Sequence, residues 1–224
     1  MIAARDSILS AIRTAIGARP SDRIRQQAVA DRIERAPKGI IPARGQLDPE
    51  GRKKLFKERA EAVHTTVVFA PNPDAVPEFV AAYLREKNLP ATLRIGSDPF
   101  LVSMPWENTS LEVAHGRSDG QDLNAVSHAI AGVAETGTLV LVSGPENPTT
   151  LNFLPDNHIV VLKASDIAGD YESVWKKLRT AYGKGGMPRV VNMVTGPSRS
   201  GDIEQKLLLG AHGPRSLHIV VVEG

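Results

Sequence analysis

At 224 residues, with 42% hydrophobic and 23% charged positions, the chain can fill one sizeable core but is too short to imply two full domains, and its composition is neither disordered nor fibrous. The net charge of +2 conceals an uneven spread: residues 1–63 carry fourteen Lys/Arg against eight Asp/Glu, the remainder thirteen against seventeen, and the mixed signs and missing interleaved aromatics of the basic third fit a solvated helix face, not a nucleic-acid surface. With no cysteine, the chain cannot itself hold a disulfide, a thiolate nucleophile, Cys-ligated zinc or a Cys-bound iron–sulfur cluster.

The opening segment lacks a secretory apolar core, and no apolar run approaches the roughly 20 residues of a membrane span. A cytoplasmic location without membrane insertion is the expectation. Ile8, Ile12, Ala15 and Ile16 fall at helical spacing over residues 6–16, and Gly17 and Pro20 stop that helix. Residues 18–47 alternate charge with small residues. Pro37, Gly39, Pro42 and Gly45 make their later part an extended arm, suited to reach another subunit in a homo-oligomer. Residues 1–47 are therefore set apart as helix and arm, and 48–224 as the main domain.

Asp48-Pro49-Glu50 has the cap, the N1 proline and the first-turn acid of a helix start, with Phe56, Ala60 and Val63 on one face. Strand-like runs then alternate with helical patterns: Thr65–Ala70, a helix facing inward through Val76, Val80, Tyr83 and Leu84, then Ala91–Ile95 and Leu111–Ala114. His158–Lys163 and Leu217–Val222 are continuous apolar strands, as expected when both faces are buried, and a helix over 170–181 turns Val174, Leu178 and Ala181 inward. This rhythm predicts an α/β fold with a mostly parallel sheet. Val126–Ser143 departs from it and reads as two strands joined by Glu135-Thr136-Gly137-Thr138. Turn statistics leave Glu135 solvated at the tip.

The most suggestive stretch is Val190–Glu204. A β-branched run, Thr195-Gly196-Pro197, the small polar Ser198-Arg199-Ser200-Gly201 and then Asp202 read as strand, tight turn and helix N-terminus. Free amide hydrogens at a helix start favour phosphate or carboxylate, and Arg199 adds a fork of donors. Helix capping by Ser200 or Asp202 explains the same residues about equally well.

Other motifs fail. Gly132 and Gly137 have P-loop spacing, but Thr138 stands where lysine is needed, and no G-x-G-x-x-G follows a strand. Gly196-Pro197-Ser198-Arg199 misses the hydrolase elbow at its fifth residue, Ser200. The histidines lack metal-ligand spacing, so no metal site is expected. His115 and His128 read as structural. His212 should lie three helical turns from the Ser198 loop, too far to share a pocket.

Two blocks carry a family likeness: Ile130–Leu139 continuing through Leu151–His158, and Thr195–Glu204 continuing through Gly210–Pro214. Together they resemble the LUD-domain family, of the lactate utilisation protein C type, over roughly residues 64–223. The chain departs at Ser200-Gly201, where the family more often has Thr-Ala, which keeps a hydroxyl and weakens a helix start. The resemblance implies a three-layer α/β sandwich similar to the NagB/RpiA/CoA-transferase-like group. It also implies a part in oxidising L-lactate to pyruvate with iron–sulfur partner proteins. Those partners would carry the electrons that a cysteine-free chain cannot hold, unless a flavin or nicotinamide binds without a fingerprint, so no cofactor is assigned.

The candidate ligand residues are Thr136, Gly137, Thr138, Thr195, Gly196, Ser198, Arg199, Ser200 and Asp202, around a small carboxylate or phosphate. Glu135 is the candidate base or nucleophile, by fold-level analogy with CoA transferases. Both loops are expected beyond the C-terminal ends of the parallel strands. The competing reading is an autonomous enzyme acting on a phosphorylated, acyl-CoA or folate-like ligand through Glu135.

Overall fold

The computed structural model describes residues 2–19, 21–183, 185–203 and 206–224; the side chains of residues 2, 3 and 201–208 fall outside what is described. The chain divides into two compact units, one ending at Gly39 and the other spanning Ile40–Gly224. The first holds helices α1 (Ile2–Ala15) and α2 (Arg23–Arg35). Helix α2 was not legible as such. It buries no residue and rests on local terms: the Asp22 side chain caps the Arg25 amide, and Gln27 bonds Asp31 one turn on. Ile8, Ile12, Ile24 and Ile33 are exposed.

In the second unit, helix α3 (Pro49–Ala62) starts as its sequence predicts, with Asp48 accepting from the Gly51 amide at 2.8 Å and Pro49 in the first turn. It delivers the chain to β1 (Thr66–Ala70), followed by α4 (Val76–Glu86), β2 (Thr92–Ile95), the short α5 (Pro99–Val102), β3 (Glu112–His115) and β4 (Asn124–Ala129). Strands β5 (Ala131–Val133) and β6 (Thr138–Val142) form a hairpin, then α6 (Thr150–Phe153), β7 (Asn157–Lys163), β8 (Ile167–Ala168), α7 (Tyr171–Tyr182) and β9 (Val191–Val194). Strands β10 (Arg199–Ile203), β11 (Lys206–Leu209) and β12 (Ser216–Val222) complete the unit.

Six strands form one wholly parallel sheet in the order β1-β12-β7-β4-β2-β3. One face packs on α4 and α5 through Val80, Leu84, Leu101, Ile159 and Val220. The other packs on α3 and on a second sheet, ordered β8-β5-β6-β9, through Phe56, Ala60, Leu139, Leu162 and Ile219. Helix α7 covers the far side of that second sheet with Val174 and Leu178. The expected three-layer α/β architecture is therefore present. Strands β7 and β12 are central and buried on both faces, which is why they are continuous apolar runs.

Three expectations change. The hairpin is formed by β5 and β6 alone, since β4 belongs to the large sheet; Ala129 to Ala131 carries the chain from one sheet to the other. Ala181 is exposed; α7 buries Val174 and Leu178 against the second sheet, with Tyr171 and Trp175 packed beside them half-buried. Most consequential, residues 199–203 form a strand paired antiparallel with β11, not a helix start. Gly201 costs a helix about 1 kcal/mol in its first turn, whereas two short paired strands satisfy each other's amides without needing a buried helical face.

Sandwiching the central strands between layers has a cost for two histidines. Burial holds His158 down to about 3 and His218 down to about 4. Between roughly pH 4 and 6.5 the unfolded chain binds protons that the folded chain refuses, so stability is full above this window and falls with pH through it, by about 1.4 kcal/mol per pH unit per ring. Urea unfolding followed from pH 6 to 4.5 should show that slope for two rings, and His218→Phe, which can keep the stack on Tyr83, should reduce it by about half.

Candidate functional site

The predicted residues do converge, at one end of the smaller sheet. Glu135 follows β5, Thr138 opens β6, Gly169 follows β8 and Thr195 follows β9, so all four positions lie together. The turn is fixed by close packing: Gly137 has φ +67°, and a Cβ there would overlap the Ala60 nitrogen in α3. The expectation that these loops sit beyond the C-terminal ends of the large sheet is not met. Gly196 backs onto Val63, which precedes β1, and the Ser198 amide donates at 2.8 Å to Pro214, which precedes β12. The loop belongs to the N-terminal edge, because β9 runs alongside β6 in the second sheet instead of joining the parallel one.

At the junction of turn and loop, Thr138 is fully buried, and its hydroxyl touches three others: Thr136 at 2.7 Å, Tyr171 at 2.9 Å and Thr195 at 2.6 Å. Thr136 and Tyr171 are 3.0 Å apart, closing a triangle. Four hydroxyls carry four protons for four contacts, so every contact is made only when Thr195 donates inward. If exposed Thr195 turns its proton to an anion, Thr138 must donate to Thr195 and one contact in the triangle is lost. Capture of an anion at Thr195 is thereby coupled to buried hydroxyl orientations. Nothing in the local pattern of Tyr171 distinguishes it from any residue beginning a helix, so the sequence alone does not single it out.

Beside Thr195 lies a cleft of about 270 Å³ lined by Phe153, Ser198, Arg199, His212 and Leu217 among others. The distance expected between His212 and Ser198 depends on an intervening helix, which does not form. The β10–β11 hairpin instead doubles the chain back, so that Gly210 N donates to Ser198 O at 3.0 Å and His212 N to Ser198 Oγ at 3.2 Å. Ser198 is consumed by these contacts: its amide, expected to face an anion, is bonded to Pro214. What remains for an anion is the exposed Arg199, with His212 and Thr195 at the same cleft. Ser200 sits in the strand opposite Leu208, and the Asp202 side chain lies outside the described residues.

Glu135 does not project into solvent. Its side chain is 4% exposed, and Arg44 Nε approaches Oε2 at 3.6 Å, beyond hydrogen-bond length, so Oε2 has no hydrogen-bond partner among the described residues. Such an oxygen costs on the order of 1–3 kcal/mol to bury. Arg44 is brought there by the segment before α3. Gly45 and Gly169 meet backbone to backbone where neither could carry a Cβ, and Gln46 donates to Asp170, the α7 cap, at 2.9 Å. A stretch read as a free arm is thus partly a strap over Glu135, made possible by two glycines whose spacing in sequence gives no sign that they touch.

The family model for the LUD domain matches residues 124–222, from β4 to β12. A lactate utilization protein C from Geobacillus thermodenitrificans is 27% identical over 88% of this chain and 93% of its own length. Another from Geobacillus kaustophilus is 32% identical over 53% of this chain, which spans about half of that relative, 52%. The crystal structure of a duf162 family protein from Deinococcus radiodurans superposes with a TM-score of 0.59 at 17% identity, covering 79% of this chain and 99% of that one, and so has the same fold.

Because Gly137 is both left-handed and pressed against α3, Gly137→Ala should lower unfolding free energy by more than about 2 kcal/mol. Gly144→Ala, whose added methyl meets nothing within 4 Å, should change it by less than about 0.5 kcal/mol. Denaturant melts of the two variants check the pair.

Proposed function

This chain belongs to the LUD-domain family, lactate utilization protein C type, and from that premise we propose that it is a cytoplasmic component of an L-lactate utilisation system. The chain takes part in converting lactate to pyruvate beside partner proteins that carry iron–sulfur clusters. Two electrons leave the lactate carbon, and a chain without a single cysteine has no thiolate to ligate a cluster that could receive them. That composition, together with the names of the relatives, carries the reading. Exposed Ile8, Ile12, Ile24 and Ile33 in the first unit are the surface for contacts with further subunits.

Within this reading the Arg199 cleft holds an anionic group, a carboxylate or a phosphate, through the guanidinium, His212 and the Thr195 hydroxyl. Lactate-dependent dye reduction by the reconstituted system should fall at least about tenfold when this chain is omitted. A rate independent of the chain rejects the role. Arg199→Ala should weaken binding of inorganic phosphate at least about tenfold in calorimetry, the worth of a charge-assisted hydrogen bond.

A second reading draws on one observation, the buried carboxylate of Glu135 with an oxygen left unpaired. There the isolated chain is an enzyme for a phosphorylated, acyl-CoA or folate-like ligand with Glu135 as nucleophile or base. Turnover by the purified chain that disappears in Glu135→Gln would establish it; retention of that turnover in the variant sinks it.

A further inference from the structure

The C-terminal edge of the large sheet carries a separate polar cluster. Within the large sheet the next strand after β2 is β3, on one side, and the next after β4, reached by way of the second sheet, is β7, on the other, so the order of strands reverses between β2 and β4. The crevice beyond the strand ends at such a reversal is where parallel sheets hold ligands. Asp98, three residues past β2, is there with His128, one residue before the end of β4. Asp98 Oδ1 accepts from the Phe100 amide at 2.9 Å, and Oδ2 accepts from His128 Nδ1 at 3.2 Å and Asn147 Nδ2 at 3.1 Å. Burial works to raise the Asp98 carboxyl, but the bonds from His128 and Asn147 prevail and lower it to about 2.

An ionised carboxylate can only accept, so Nδ1 of His128 carries the hydrogen and Nε2 is the atom left to act. Nε2 is buried and has no hydrogen-bond partner among the described residues. Phe100 packs against His128 with centroids 4.7 Å apart, and Lys163, ending β7, sets Nζ 4.1 Å from the centre of the same ring. The ammonium and the imidazole are therefore no more than about 9 Å apart across one aromatic platform. The loop after β6 lies across the crevice, tied by Ser97 N to Glu146 O at 3.0 Å and by Asn147 to Asp98. A ligand reaches Nε2 by displacing that loop.

We propose that this crevice receives the 2-hydroxy acid, its hydroxyl donating to His128 Nε2 and its carboxylate pairing with Lys163, while the Arg199 cleft at the opposite edge takes a phosphate. A 2-hydroxy acid spans about 3 Å from hydroxyl to far carboxylate oxygen, and with a hydrogen bond of about 2.8 Å at each end its reach of about 9 Å is comparable with that upper limit. Asp98 is the positioning residue that fixes the tautomer. The assignment rests on the reading of the chain as part of lactate utilisation.

Calorimetry of the full chain with L-lactate and with propionate, joined to nitrogen-15 spectra of its imidazoles, tests it. Lactate should bind at least about tenfold more tightly than propionate, which lacks the hydroxyl. Asp98→Asn still caps α5 but presents a donor to Nδ1, so it should move the His128 hydrogen to Nε2, shift both ring nitrogens and weaken lactate at least about tenfold. Lys163→Met keeps its stem over Phe100 and should weaken lactate and propionate alike. Equal affinity for the two acids, lactate affinity unchanged in both variants, or no lactate binding by the chain overturns the assignment. Dye reduction by the reconstituted system reports separately on the reading beneath it, so the two can fail independently.

Discussion

Burial of both faces of β7 and β12 governs the rest of the molecule. Two layers close over these strands, so any polar side chain they carry must be satisfied within reach of the sheet. His158 Nε2 bonds Ser127 Oγ at 3.0 Å, and Ser127 bonds Asn152 at 3.1 Å. His218 Nδ1 meets Thr66 Oγ1 at 2.7 Å and stacks on Tyr83 at 4.0 Å. Each ring keeps one buried nitrogen, His158 Nδ1 and His218 Nε2, without a hydrogen-bond partner among the described residues. The interior is committed to packing, and the candidate site residues lie at the two rims.

The rims differ in how they are built. At the N-terminal rim the smaller sheet leans over the larger one, and its strand ends supply hydroxyls, Glu135 and the Arg199 loop. Its polar groups are shared among themselves, as the four mutually bonded hydroxyls show, so a ligand there competes with internal bonds. At the C-terminal rim the reversal of strand order separates the connections, and Asp98 and His128 come together from strands adjacent in space but thirty residues apart in sequence. One rim offers exposed positive charge; the other offers a fixed tautomer beside a lysine.

The β10–β11 hairpin shows how a local misreading propagates. A helix after Ser198 would have left free amides facing the loop and carried His212 away. Pairing instead uses Ser198 internally and returns His212 to it. The same residues still line a cleft, but the positive charge they bring to it sits on a side chain rather than at a helix end.

What the sequence determined by itself is whatever depends on near neighbours and periodicity: the Asp48 cap and α3, the inward face of α4, the apolar runs of β7 and β12, and the alternation that predicts an α/β fold with a mostly parallel sheet. The Glu135–Thr138 turn was legible too, since Gly137 announces a reversal on its own. Tertiary structure alone decided that Glu135 is buried beneath a strap carrying Arg44, that Tyr171 joins the threonines, and that His128 pairs with Asp98 at the strand-order reversal. These facts rest on contacts between residues far apart in the chain, such as Gly45 with Gly169, and the energy of a long-range contact is written in the shape of both surfaces, which no local pattern of residues records.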